Sequence, residues 1–129
     1  IMELSRQGLY CAQIMVQLAL DVEGRENPEL VQAMRGLCCG FDRSGGPCGA
    51  LAGGICFLSL LAAELDDGDR AELIGRFHAW FRGRTEQYGG ENCEHIERGE
   101  PQNMLTICPG IIIDSYEKCV ELLEERGLA

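Results

Sequence analysis

The chain has 129 residues and a formal net charge of −10, from 11 basic and 21 acidic side chains. That balance argues against nucleic acid and against anionic membrane surfaces, both of which ask for clusters of Lys and Arg. It fits docking on a basic partner, or simple solubility. A hydrophobic content of 46% and this length predict one globular domain, residues 1–129, with a real core. No apolar run approaches the roughly 20 residues a membrane span needs. No basic head followed by an apolar segment marks a signal peptide, so the cytoplasm is the expected location. Ile1 precedes Met2, which leaves an upstream segment open.

Ser5 to Glu23 reads as a helix, with Cys11, Met15, Leu18 and Val22 on one face and Gly24 as the stop. Asn27-Pro28 is a strong helix start, and Leu30, Val31, Met34 and Leu37 give the helix behind it an apolar face. Cys38 to Pro47 reads as a glycine-bearing loop. The stretch Gly45-Gly46-Pro47-Cys48-Gly49-Ala50-Leu51-Ala52-Gly53-Gly54 then leads into the most apolar run, Ile55 to Ala63. A helix from about Cys48 to Leu65, apolar almost all round, is expected to be the central buried element.

Asp66-Asp67-Gly68-Asp69 is a turn that can cap the next helix, Arg70 to Tyr88, whose Leu73, Ile74, Phe77, Trp80 and Phe81 face inward. Asn92 to Arg98 reads as a short helical turn and Gly99 to Thr106 as an irregular link. Cys108-Pro109-Gly110 opens the last helix, Ile111 to Arg126. There is no strand alternation and no internal repeat. The expected fold is an all-α, single-domain bundle of about five helices, with a Gly-rich loop before a central buried helix.

Eight cysteines set this chain apart: Cys11, Cys38, Cys39, Cys48, Cys56, Cys93, Cys108 and Cys119. A secreted disulfide framework suits small, loop-rich chains rather than a helical one with a good core. The absence of any Cys-x-x-Cys pair removes the thioredoxin signature, the zinc ribbon, covalent c-type haem and the common ferredoxin spacings. Any thiol site must be assembled from distant parts of the chain. Cys48, Cys93 and Cys108 share a setting at predicted helix starts, where unpaired N–H groups and the helix dipole favour a thiolate.

Cys11 falls mid-helix on the inward face; it is either core or a fourth sulfur completing a tetrahedral site. Cys56 and Cys119 read as core. Cys38 and Cys39, too close in sequence for an unstrained disulfide, are loop residues that could lie near the site. His95 is either a solvated side chain or a ligand in a mixed Cys/His zinc site, and His78 is assigned nothing. Gly49 and Gly53, four apart, allow close approach of a helix or of a bound group. The glycine loop lacks the Gly-Lys-Ser/Thr ending of a phosphate loop and follows no strand, so neither nucleotide fingerprint applies.

Four cysteines with wide spacing, one of them inside Cys48-Gly49-Ala50-Leu51-Ala52-Gly53, resemble the C-GCAxxG-C-C family, which is named for suspected redox activity. The matched positions are Cys11 in Tyr10-Cys11-Ala12-Gln13, then Cys48, Cys93 and Cys108, with Cys108-Pro109-Gly110 also similar. Here the motif reads Cys-Gly-Ala-x-x-Gly where the family's name writes Gly-Cys-Ala-x-x-Gly. The resemblance implies a helical domain of anaerobic bacteria and archaea, similar to one that accompanies an iron–sulfur centre in split-Soret cytochromes. On that footing Cys11, Cys48, Cys93 and Cys108 are expected to hold an iron–sulfur cluster, [2Fe–2S] first among the types, with Gly46, Gly49 and Gly53 beside it. Electron transfer to a partner protein with a basic docking surface would be its use. A helical homodimer is compatible with the apolar central helix. The rivals are a metal-free thiol–disulfide protein, with Cys48 attacking and Cys93 or Cys108 resolving, and a structural zinc module. A stand-alone enzyme is not required by any of these.

Overall fold

The N-terminal helical pattern breaks where glycine permits it. In the structure of the protein, a computed structural model that describes residues 2–128, helix α1 covers Met2–Arg6 and α2 covers Cys11–Glu23. Gly8, at φ 85°, turns the chain between them. The single helix expected over Ser5 to Glu23 is therefore two, and Cys11 opens the second rather than sitting inside the first. Gln13 fixes that start: its Oε1 accepts the Tyr10 N–H at 3.2 Å, and its Nε2 donates to the Val31 carbonyl at 3.1 Å. A buried amide thus has partners for both of its ends. Gly24, in the left-handed region, ends α2.

Helix α3 spans Pro28–Ala33 and runs into a 3-10 turn at Met34–Leu37. The Asn27 side chain caps it by accepting the Leu30 N–H at 3.1 Å. Helix α4 is Gly49–Leu61, with Cys48 at the N-cap position but making no side-chain cap, and α5 is Asp67–Thr85, capped by Asp66, whose side chain accepts the Asp69 N–H at 2.8 Å. Two short helices follow, α6 at Cys93–Glu97 and α7 at Asn103–Thr106, so part of the expected irregular link is helical. The last helix, α8, is Cys108–Glu125. It begins three residues before Ile111 because Pro109 sits in the first turn, where its missing N–H is not needed. The fold is all-α, and no strand occurs among the described residues.

The main core lies between α4, α5 and α8. Phe57, Leu58, Leu73, Phe77, Phe81, Ile111, Leu122 and Leu123 are fully buried there. Trp80 and Ile74 are only partly buried, so the inward face of α5 is narrower than the sequence suggests. A second cluster, with Ala12, Val16, Leu20, Val31, Met34, Cys38 and Cys39, packs the other flank of α2. Cys119 is core, as expected, and its thiol reaches the Gly54 carbonyl at 3.8 Å. Cys56 is half-buried against the second cluster. Among the described residues no helix is long and apolar enough to cross a membrane.

Helix α4 crosses α2 at its two motif glycines. A Cβ on Gly53 would stand 2.8 Å from the Ala12 Cα and 3.0 Å from the Ala12 carbonyl oxygen, and one on Gly49 would stand 3.1 Å from the Ala12 nitrogen. These are backbone atoms that cannot swing aside. Gly53→Ala should therefore destabilise the protein by about 1–3 kcal/mol through overpacking. Gly75, in the exposed middle of α5, meets nothing within 4 Å, and Gly75→Ala should stabilise by up to about 1 kcal/mol. Denaturant titration of the two variants should give midpoint shifts of opposite sign.

Candidate functional site

Three backbone devices bring the four motif cysteines together. Cys11 is the first residue of α2, Cys93 of α6 and Cys108 of α8, while Cys48 is the N-cap of α4. The α2–α4 crossing sets Cys11 against the motif, so closely that a Cβ on Gly49 would fall 2.1 Å from the Cys11 sulfur. Pro47 and Asn92 form an isolated antiparallel bridge. Through it the Cys48 N–H donates to the Glu91 carbonyl at 2.8 Å and the Cys93 N–H to the Gly46 carbonyl at 3.2 Å. Cys108 is carried in at the head of α8, which packs on α4.

These thiols face a common space. A cavity of about 350 Å³ is lined by Cys11, Cys48, Cys93 and Cys108, and also by Cys39. Its remaining wall is largely apolar, with Leu9, Ile14, Ile96, Met104 and Ile112. Cys48 is 5% exposed and Cys39 8%. Among the described residues, no group of three His, Cys, Asp or Glu side chains is arranged to hold a single metal ion.

Of the three glycines expected beside a bound group, Gly49 and Gly53 lie against α2, and none lines this cavity. Gly46 lines a neighbouring cleft of about 200 Å³ and bonds the Cys93 N–H. His95 faces its own turn: its Nδ1 accepts the Asn92 N–H at 3.3 Å. His78 lies 2.6 Å from Glu91.

Cys39 reaches the cavity by an unusual route. Cys39, Gly40, Phe41 and Asp42 all hold left-handed helical dihedrals, with φ between 55° and 71°, and Arg43 follows at φ 69°. For residues with a Cβ this conformation costs roughly 1–2 kcal/mol each, so the surroundings must hold it. They do so at Gly40, where a Cβ would meet the Gly46 oxygen at 2.7 Å and the Cys93 Cβ at 2.9 Å. The Gly40 carbonyl accepts N–H groups from Ser44 and Gly46, and the Ser44 hydroxyl donates to the Phe41 carbonyl. Sequence reasoning placed Cys38 and Cys39 only near the site. The one signal available was Gly40 directly behind the pair.

The expectation of low thiol pKa values at the helix starts is overturned. Burial pushes the Cys93 and Cys108 thiols up to about 12 and raises Cys48 as well. Neighbouring thiols add to the rise, because a second negative charge in the cavity is unfavourable. The Ala50 N–H at the head of α4 does pull Cys48 down, but less than burial lifts it. Desolvation of the charge thus outweighs the partial charge of the helix end. Cys38 is the exception, lowered to about 7 chiefly by a hydrogen bond from the Cys11 thiol. Cys11 is raised by the same contact, and Cys39 is raised by its hydrogen bond to Cys11 and by burial.

A family model described as "Putative redox-active protein (C_GCAxxG_C_C)" matches residues 9–122. The chain belongs to that family. The match takes in all four motif cysteines and Cys39, from the head of α2 to near the end of α8. Comparison with curated proteins and comparison with solved structures each give no match. Membership in the C_GCAxxG_C_C family supports redox activity, and the cavity shows which of its thiols share one space.

Raised thiol pKa values have a thermodynamic signature in the metal-free, reduced protein. A free thiol titrates near about 8.5, while folded Cys93 and Cys108 titrate near about 12. As pH rises, the unfolded chain loses these protons first, so it binds fewer and gains free energy of ionisation that the folded chain lacks. Their contribution to stability is complete below roughly pH 8.5 and falls as pH climbs towards 12. The urea midpoint should be lower at about pH 10 than at about pH 7, and the drop should shrink in Cys93→Ser.

Proposed function

We propose that the protein is a small redox carrier whose Cys11, Cys48, Cys93 and Cys108 bind an iron–sulfur cluster, with [2Fe–2S] the leading type. The observation that carries this reading is the convergence of all four motif thiols on one largely apolar cavity. Soft thiolates are the donors such clusters use. A cavity of about 350 Å³ lined by these sulfurs has room for a group of several atoms. When bound, a cluster supplies one-electron chemistry at a potential set by hydrogen bonds to its sulfurs and by burial.

The chain's own residues shape that site in three ways. The four cysteines each give up a thiol proton on binding, so loading releases protons and tightens with pH. The Ala50 N–H, within hydrogen-bond reach of Cys48, would stabilise the reduced, more negative state. Leu9, Ile14, Ile96 and Ile112 give the sulfurs apolar walls. Tyr10 and Leu105 line the same cavity yet are 38% and 80% exposed, and they mark where an electron-transfer partner would approach. A partner with a basic surface suits the net charge of −10.

The rival reading, thiol–disulfide exchange with Cys48 attacking, needs a thiolate, and burial keeps the Cys48 proton on. Anaerobic reconstitution with ferrous iron and sulfide separates the two. The expected result is a coloured protein with stoichiometric iron and acid-labile sulfide, lost in Cys48→Ser. A colourless, iron-free protein overturns the cluster reading. Reversible loss of two hydrogens, mapped by mass spectrometry to Cys48 with Cys93 or Cys108, would support the rival instead.

A further inference from the structure

We propose that Cys39 donates a hydrogen bond to the Cys11 sulfur in the loaded protein and thereby raises the reduction potential of the centre. The inference rests on the cluster reading above and gives a role to a thiol outside the four-cysteine motif. Cys11, Cys48, Cys93 and Cys108 fill the four thiolate positions of such a cluster, so a further thiol in the wall has no iron to bind and keeps its proton. Cys39 is that thiol. It is 8% exposed, lines the cavity beside the motif cysteines, and belongs to the core cluster against which Cys11 packs.

Other thiols of the chain direct their protons at oxygen. Cys38 donates to the Met34 carbonyl at 3.5 Å, Cys93 to the Glu97 carboxylate at 3.8 Å and Cys119 to the Gly54 carbonyl at 3.8 Å. Among the described residues the Cys39 thiol has no such oxygen, and the acceptor within its reach is the Cys11 sulfur. The Cys39 backbone N–H faces the same sulfur. One residue thus turns both of its donors onto one atom. Its left-handed backbone, at φ 57°, is held by Gly40, which lies against the Gly46 oxygen and the Cys93 Cβ with no room for a side chain. Loading takes the proton from Cys11, after which its sulfur can only accept. No bond breaks at Cys39. When the centre gains an electron, negative charge grows on the ligand sulfurs, and a donor there stabilises the reduced state more than the oxidised one.

The test compares wild-type protein with Cys39→Ala, Cys39→Ser and Cys56→Ala after anaerobic reconstitution with ferrous iron and sulfide. Cys56 does not line the cavity, so it controls for loss of a thiol as such. Iron and acid-labile sulfide per chain should be the same in all of these proteins, because no ligand is lost. The midpoint potential of Cys39→Ala should be more negative than that of the wild type. Cys39→Ser, which keeps a donor on the same Cβ, should recover most of the difference, and Cys56→Ala should match the wild type.

Pulsed electron paramagnetic resonance of the reduced wild-type protein should show a proton coupling that exchanges in deuterium oxide and is missing from Cys39→Ala. An unchanged potential in Cys39→Ala, a potential in Cys39→Ser as negative as in Cys39→Ala, the same shift in Cys56→Ala, or loss of iron from Cys39→Ala would each overturn the donor while leaving the four-cysteine centre standing. Absence of iron from the reconstituted wild-type protein would overturn the cluster reading and the donor with it.

Discussion

The close crossing of α2 and α4 is the contact on which the site depends. Two glycines let the helices approach until backbone meets side chain, and the head of α2 is thereby placed against the head of α4. Any larger residue at Gly53 would push the helices apart and carry Cys11 away from Cys48. The short Pro47–Asn92 bridge adds Cys93 to the pair with two backbone hydrogen bonds, and α8, packed along α4, adds Cys108. The glycine motif is thus a packing device that brings sulfurs together, more than a loop that wraps a ligand.

Two opposing forces act on the thiols gathered there. Helix ends offer N–H groups and a partial positive charge, which stabilise a thiolate by a modest amount. An apolar cavity withdraws solvent, which destabilises the same charge, and sulfurs side by side repel one another once ionised. The second effect wins at Cys48, Cys93 and Cys108. In the free protein burial thus favours the neutral form of these thiols. A cation, or a group containing one, would reverse that balance, because it supplies the positive charge the helix ends lack.

Much of this was legible in the sequence. The apolar periodicity of α2, α4, α5 and α8, the Asn27-Pro28 start and the Asp66 cap follow rules of local geometry; each of these helices is present, with ends shifted by up to six residues from the expected bounds. The break before Cys11 was not legible, because Leu9 and Cys11 continue an apolar rhythm across Gly8 and the decisive bond comes from a buried glutamine. The left-handed turn at Cys39 was not legible either. Phe41, Asp42 and Arg43 carry no preference for positive φ strong enough to announce it, and the conformation is imposed by Gly46 and Cys93, which are remote in the chain. The pKa error had a similar origin: helix ends can be read locally, but the depth of a cavity is a property of the whole fold.

The scatter of the cysteines along the chain has a consequence for biosynthesis. A ligand set built from a Cys-x-x-Cys hairpin exists as soon as that hairpin leaves the ribosome. Here one wall of the cavity is the head of α8, the last helix. Until it has been made and has docked on α4, the cavity is open on that side and lacks one of its sulfurs. A group taken up at this site would therefore bind once α8 has been made and has docked, at a folded or folding domain rather than at a nascent peptide. The same geometry protects the growing chain, since no pair of these thiols is poised to capture a stray metal before the fold has closed around it.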